Sequence, residues 1–286
     1  MTAENVKVIF DVAETSLDTA SLAADMVGAV KIGMHWSDCP VPSARVTPLH
    51  QVQFIWGPRY QPILESMGAA SNVLVQVGNI FDAGEATPQR QERAKVCRTN
   101  LERAGVKHIV GVLDRSCSPT SLCPPAYHIE FYEALFSWLE NDIEIGMIIK
   151  PKTSTDLSAS AYKPELSTRL ERLILAGRAV LLDNKQSPEE AAYSSDIVVA
   201  LGLNSAGVLC ALKGERVVFW DPAQAKESPL GHWVRRFGWD KKNLVLNSMS
   251  QLIDAVKHYF KCPSDISELG DLSSMLDEID RFRDGK

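Results

Sequence analysis

The sequence predicts an α/β protein built on doubly wound parallel sheets, and three observations carry that expectation. Short apolar runs rich in β-branched residues alternate with helical stripes along nearly the whole chain, the signature of strand, helix, strand units rather than of a sandwich or a bundle. Several of the runs, such as 196–201, are apolar without a helical period, as strands covered on both faces are. The length of 286 residues with 45% hydrophobic residues provides for about two domains.

The chain opens with a strand at 6–12 and a helix at 16–27. Strands at 29–35 and 52–56, a helix at 60–67 and a strand at 73–77 follow. Between His35 and His50 lies a long stretch rich in Pro, Ser and polar residues. Loops of that length inside compact domains are commonly functional, and the alternative is a surface excursion with two ordinary loop histidines. Periodicity stops after Asn79, and DAGEATPQRQ at 82–91 is polar and breaker-rich, which reads as a hinge. The expected division is a partial first domain at 1–82, a hinge at 83–91, a second domain at 92–262 and a helical tail at 263–286.

Regular structure resumes with a helix at 92–104 and a strand at 108–113, then the turn-rich DRSCSPTSLCPP. A helix at 128–139 presents Phe131, Leu135 and Leu139 on one face. A strand at 143–149 ends in Lys150, Pro151 and Lys152; a helix at 164–176, a strand at 179–182 and a helix at 188–194 come next. Strand 244–246, helix 251–260 and an amphipathic helix at 271–282 close the chain.

The stretch that organises the second half is SDIVVALGLNSAGVLCALKGERVVFWDP, residues 195–222. An apolar strand runs into a sharp turn, for which Gly202 and Asn204 tolerate unusual backbone angles and Ser205 can cap a helix. Val208, Leu209, Ala211 and Leu212 give that helix its apolar stripe, Gly214 ends it, and a second buried strand follows. Asn204, Ser205, Ala206 and Gly207 therefore stand where backbone N–H groups and a helix dipole can hold a phosphate. The competing reading is a crossover whose small residues only let helix and strand pack closely. GLNSAG is not a P-loop, since Val208 stands where lysine is required, and it is neither a nucleophile elbow nor a GxGxxG fingerprint. In a parallel sheet the loops after each strand converge at one edge, bringing Asp114, Ser116 and Ser118, Lys150 and Lys152, residues 183–185 and residues 202–207 together. Hydroxyls, one carboxylate, two lysines and helix amides suit a nucleoside phosphate, unless the lysines merely end an exposed strand.

A net charge of −6 and a pI near 5.6 argue against a general nucleic-acid surface. No apolar run approaches the roughly 18 residues of a membrane helix, and the start MTAENVKVIF is no signal peptide, so the chain reads as cytoplasmic. Six cysteines without a CxxC pair read as buried free thiols. His128 and Glu130 form an HxE without the PCxxC of zinc deaminases, so that reading is dismissed.

FYEALFSWLENDIEIGMIIKPK at 131–152, AYSSDIVVALGLNSAGVLCALKGERVVFWD at 192–221, FIWGPRYQPILESMG at 54–68 and QVGNIFD at 76–82 resemble glycosyltransferases of the GT-B fold. Their order and spacing are most similar to the capsule and lipopolysaccharide polysaccharide-biosynthesis type, with a more distant similarity to glycerophosphotransferases and sugar 2-epimerases. The resemblance implies two Rossmann-like doubly wound parallel-sheet domains facing a cleft, the first short or incomplete. VKVIFDVAETS resembles the middle of a full acceptor domain, so the chain is expected to be a shortened homologue or the later part of a longer protein.

By that resemblance the second domain binds a nucleotide-sugar donor and the first a glycan or lipid-linked acceptor. Asp114 and Ser116 match the loop after the donor domain's first strand, Lys150 and Pro151 begin a KPHP-like motif, and Asn204, Ser205 and Gly207 match its small-residue helix start. Lys152 stands where histidine is common, and Leu209 where many such proteins carry a glutamate for donor hydroxyls. The resemblance implies attack of an acceptor hydroxyl on the anomeric carbon with no metal and no bound cofactor, which the lack of a DxD does not contradict, and with Glu14, His35 and Asp38 as candidate bases. Peripheral association with the inner face of a membrane is compatible with a lipid-linked acceptor. Nucleotide-sugar epimerisation and a non-catalytic nucleotide-binding or scaffold module remain as alternatives.

Overall fold

The computed structural model describes residues 7–11, 19–34, 50–66, 68, 71–79, 87–119, 123–152, 157–223, 245–265, 269, 276–280 and 282. The chain divides into two compact units, Met1–Gly84 with Ser274–Lys286, and Glu85–Ser273.

The first unit holds a four-stranded parallel sheet of β1 (Val8–Asp11), β2 (Val30–Met34), β3 (Val52–Ile55) and β4 (Val73–Gln76), in that spatial order. Helices α1 (Thr19–Val27) and α2 (Tyr60–Ser66) connect them. Ile55, Trp56, Tyr60 and Ile63 are buried here, and Tyr60 meets Trp56 edge-on. The β-branched runs suggest strands covered on both faces, yet β1 alternates, with Val8 and Phe10 exposed. The final described helix belongs to this unit: Arg59 N donates to Glu278 O at 3.1 Å and Asn79 N to Asp280 Oδ2 at 2.7 Å. Gly57 makes that approach possible, because a Cβ there would lie 2.5 Å from Glu278 O.

The second unit is a six-stranded parallel sheet of β5 (His108–Leu113), β6 (Ile145–Lys150), β7 (Ala179–Leu181), β8 (Ile197–Leu201), β9 (Val217–Trp220) and β10 (Val245–Leu246). Its order, β10-β9-β8-β5-β6-β7, is the 3-2-1-4-5-6 order of a Rossmann sheet, counted from its own first strand. Every residue of β6, β8 and β9 is buried, as strands sandwiched between helices must be. The helices are α3 (Pro88–Arg103), α4 (Pro125–Asn141), α5 (Glu165–Leu175), α6 (Pro188–Tyr193), α7 (Ser205–Leu212) and α8 (Met249–Lys261); the last helix, in the first unit, is α9 (Leu276–Ile279). On one side of the sheet Phe131, Tyr132, Leu135 and Phe136 of α4 share a core with Val110, Val112 and Trp220.

The stretch expected to be a hinge is partly helix. Thr87 caps α3, its hydroxyl accepting from Arg90 N at 3.4 Å, and Pro88 fills the first turn, where its missing N–H costs nothing. Arg90, in the stretch expected to be exposed chain, pairs with buried Glu189 of α6 at 3.0 Å, and Arg93, in the expected helix, pairs with buried Glu190 at 2.6 Å. Within the final helix expected at 271–282, the described helical residues are Leu276–Ile279. A short turn of 3-10 helix, Ser158–Ala161, lies outside the elements expected from the sequence. No described helix is long and apolar enough to cross a membrane.

Candidate functional site

The chain runs outward from β5 to β6 and β7, then returns to place β8 on the other side of β5. Connections leave β5 and β8 in opposite directions, and the carboxyl ends of such a strand pair are where open parallel sheets bind ligands. Two loops meet there, residues 114–119 after β5 and residues 202–204 after β8.

Each loop leads to a helix N-terminus, and the two termini differ chemically. Helix α4 has Pro124 as its cap and begins at Pro125, and neither has an N–H to offer. Helix α7 begins after Asn204, extended at φ −140 and ψ 155, whose side-chain oxygen accepts from Gly207 N at 2.8 Å. Val208 N bonds back to Asn204 O at 3.2 Å. Ser205 and Ala206, the first two helical positions, have amides for which an α-helix supplies no intrahelical acceptor. The dipole of α7 adds partial positive charge at the same place. Of the two helix ends at this edge, α7 is the one equipped for an anion.

The turn into α7 is held from several directions. Asn204 Nδ2 donates to Leu201 O at 3.0 Å and Gly202 O at 3.1 Å, and Leu203 N donates to Asp221 Oδ2 at 2.9 Å. Gly202 takes φ +69, which a side chain would resist, and a Cβ there would lie 2.6 Å from Arg115 Nη1. Arg115 thus lies across Gly202 and reaches Leu203 O at 3.5 Å, placing a guanidinium between the two loops. Arg115 is not among the site residues expected from the sequence. The signal was present, since it directly follows Asp114 at the end of the strand beside the crossover.

Asp114 is 3% exposed and ties the β5 loop to the β6 loop. Its Oδ1 accepts from Lys152 N at 2.5 Å and its Oδ2 from Tyr132 OH at 3.0 Å. Burial pushes its pKa up to about 6, against the pull of those two hydrogen bonds and of the Lys150 and Lys152 charges. Lys150, expected to contact an anion, donates from Nζ to Pro151 O at 2.7 Å and Asn184 O at 3.1 Å, so two of its three donors bind the β6 and β7 loops. Burial also holds its pKa below the usual lysine value. Lys152 is exposed at the same edge. His128 of α4, fully buried beside the Ser116 backbone, is pushed down to about 4 by burial and by the Arg115 charge.

Among the expected site residues, the structure joins Asp114 directly to Lys152, and Asn204 to Gly207. Ser205 and Ala206 are half-buried at the start of α7, and Ser116 is exposed in the β5 loop. Gly207 faces the sheet: a Cβ there would come 2.5 Å from Phe219 Cε1 and 3.2 Å from the Ala200 Cβ. Its smallness serves helix-on-strand packing, and its N–H is already taken. Glu14, His35 and Asp38 lie outside the described residues. Among the described residues, no group of three or more His, Cys, Asp or Glu is placed to hold a metal ion.

Neither a comparison with protein-family models nor one with curated proteins finds a match. Solved structures do match in fold. The Anabaena protein HepE, in complex with UDP and glucose, superposes with a TM-score of 0.60 at 14% identity over 98% of this chain and 75% of that one. MnaA of S. aureus, solved with UDP, gives 0.56 at 12% over 94% and 70%. An α,α-trehalose-phosphate synthase (UDP-forming) from Burkholderia xenovorans, in complex with glucose-6-phosphate, gives 0.53 at 11% over 96% and 71%. The chain has the GT-B fold, with two Rossmann-like parallel-sheet domains.

Proposed function

We propose that the chain is a nucleotide-sugar-dependent glycosyltransferase, with residues 92–262 as the donor-binding domain and a glycan or lipid-linked surface polysaccharide precursor as acceptor. The observation that carries this reading is the equipment of the β5–β8 edge. The Arg115 guanidinium and the amides of Ser205 and Ala206 stand at adjoining loops whose geometry is fixed in advance by Asn204, Asp221 and Asp114.

In the reaction we infer, an acceptor hydroxyl oxygen forms a bond to the anomeric carbon while the bond from that carbon to the donor phosphate breaks. The hydroxyl proton passes to a base, for which Glu14, His35 and Asp38 remain candidates, and the electron pair leaves with the nucleoside diphosphate. Charge then accumulates on the leaving phosphate oxygen. Arg115, Lys152 and the α7 amides would meet that charge without having to reorganise, and one such preorganised donor contributes about 10²–10³-fold in rate. Asp114 would act through Lys152, holding its backbone, and Lys150 through the loop carbonyls it binds. That several structures of this fold are described with UDP supports a uridine nucleotide as the first candidate.

Calorimetric titration with UDP, ADP, GDP and CMP tests the site. Binding of one nucleotide, weakened by about 1.5–3 kcal/mol in Arg115→Ala as for loss of a hydrogen bond to a charged group, is the expected result. Failure of all four to bind removes the reading. Incubation with the matching nucleotide-sugars then separates the activities: free nucleotide marks transfer or hydrolysis, an isomerised sugar nucleotide marks an epimerase, and binding without turnover marks a non-catalytic module.

A further inference from the structure

One face of the first sheet is apolar across all four strands and open to solvent. Phe10, Ile32, Val52 and Val73 form one rung through β1, β2, β3 and β4. Side chains of paired residues share a face, and those two residues along each strand return to it. The flanking rungs on this face are therefore Val8 with Val30, and Met34 with Phe54 and Val75. No polar or charged side chain stands among them. Val8, Phe10, Val30 and Val73 are 42–52% exposed, and the rest are partly exposed. The opposite face is the covered one. It carries Lys31, Gln53 and Ile55, all buried, and the Lys31 ammonium reaches Asp25 of α1 at 2.9 Å. Strands laid down in order from β1 to β4 by right-handed crossovers keep their connecting helices on one side, so α2 lies with α1.

A parallel sheet is ordinarily covered on both faces, as β6, β8 and β9 of the second unit are, with every residue buried. Size and charge choose the partner for the open face. Four strands about 4.8 Å apart make a face roughly 19 Å wide, and a helix about 10 Å across would leave half of it bare. A second four-stranded sheet matches that width, and two such faces stack about 10 Å apart without burying a charge. The exposed parts of these side chains come to roughly 500 Å² a copy, about 1,000 Å² in a twofold contact, which reaches the area a specific interface needs.

We propose that this face is the interface of a homodimer, in which the apolar faces of two copies of the chain pack sheet on sheet about a twofold axis. The contact is independent of the donor site and of the transferase reading.

The test is sedimentation velocity of the full chain over a wide concentration range. A single step from monomer to dimer is expected, because a face that meets itself closes after two copies. Val8→Lys and Val73→Lys, on the two outer strands, should each raise the dimer Kd at least about a hundredfold by burying an unpaired charge. Thermal melts establish which variants are folded. The double variant Val8→Thr, Val73→Thr keeps the β-branched shape and carries the test if the lysine variants do not fold; its buried hydroxyls should raise Kd about tenfold. Met26→Lys, on the exposed side of α1 and away from this face, should leave Kd unchanged. A chain that stays monomeric throughout the range overturns the proposal, and so does a mass that keeps growing with concentration. A dimer that the folded strand variants leave intact, or that Met26→Lys disrupts, overturns it too, because the contact then lies elsewhere.

Discussion

Asp114 shows how one side chain can serve two loops at an energetic cost. Its carboxylate accepts from Lys152 N and Tyr132 OH, yet burial raises its pKa to about 6 from an ordinary value of 3.8. A carboxyl whose folded pKa is raised contributes stability that is complete below the unfolded value and is lost as pH rises through the folded one. The window here runs from about pH 4 to about pH 6. Asp114→Asn removes the titration, so its stability relative to the parent should improve steadily across that window and then level off. Urea midpoints of both proteins at several pH values check this; a relative stability that falls with rising pH would mean that Asp114 is stabilised as the anion. The residue type and its place at a strand end were readable from sequence. That burial outweighs two hydrogen bonds and two lysines was not, because desolvation depends on what the fold lays over the carboxyl.

At the scale of the element, α7 separates two uses of small residues that its sequence left open. Gly207 packs against Phe219 and Ala200, so Gly207→Ala should cost about 1–3 kcal/mol of stability through overpacking while the folded protein binds nucleotide as the parent does. A bulkier residue there would test packing rather than phosphate contact. Ser205 is the better probe. Asn204 already has the extended backbone, φ −140 and ψ 155, that a residue preceding proline adopts, and proline is accepted in the first helical turn. Ser205→Pro therefore deletes an amide donor with little strain, and Ser205→Ala accounts for the lost hydroxyl. Proline should bind nucleotide about 1.5–3 kcal/mol more weakly than alanine at nearly equal melting temperature. Equal affinities would take the phosphate away from this helix end. Helix α3 carries the converse lesson. Its first turn, with Gln89, Arg90 and Gln91 after Pro88, has the composition of exposed linker, and the acidic first turn of α6, distant in sequence, supplies the ion-pair partners of Arg90 and of Arg93 one turn on.

For the whole molecule, a nucleotide at the β5–β8 edge should leave a footprint scattered in sequence. Hydrogen exchange with saturating UDP, or whichever nucleotide binds, should show protection at 113–118, 150–152 and 201–208 together. Protection that spares all three segments would remove the donor assignment even if binding is tight. The three are close because the sheet order brings their strands side by side, with β8 and β6 flanking β5.

The sequence by itself determined the alternation of strands and helices, the strand at 108–113 to the residue, the turn through Gly202 and Asn204, and the carboxyl ends at which loops gather. These follow from local periodicity and from backbone angles that few residues accept. It did not determine that β1 is only half covered, that Arg115 spans the two loops, that Lys150 is occupied by carbonyls, or that His50 and Gln53 meet over Gly33. Each of these depends on partners far apart in the chain, and an apolar run or a charged residue looks the same in sequence whether a helix, a loop or water comes to rest against it. The tertiary structure decided them by fixing strand order and register, which bring distant groups within reach of one another and set which of them are desolvated.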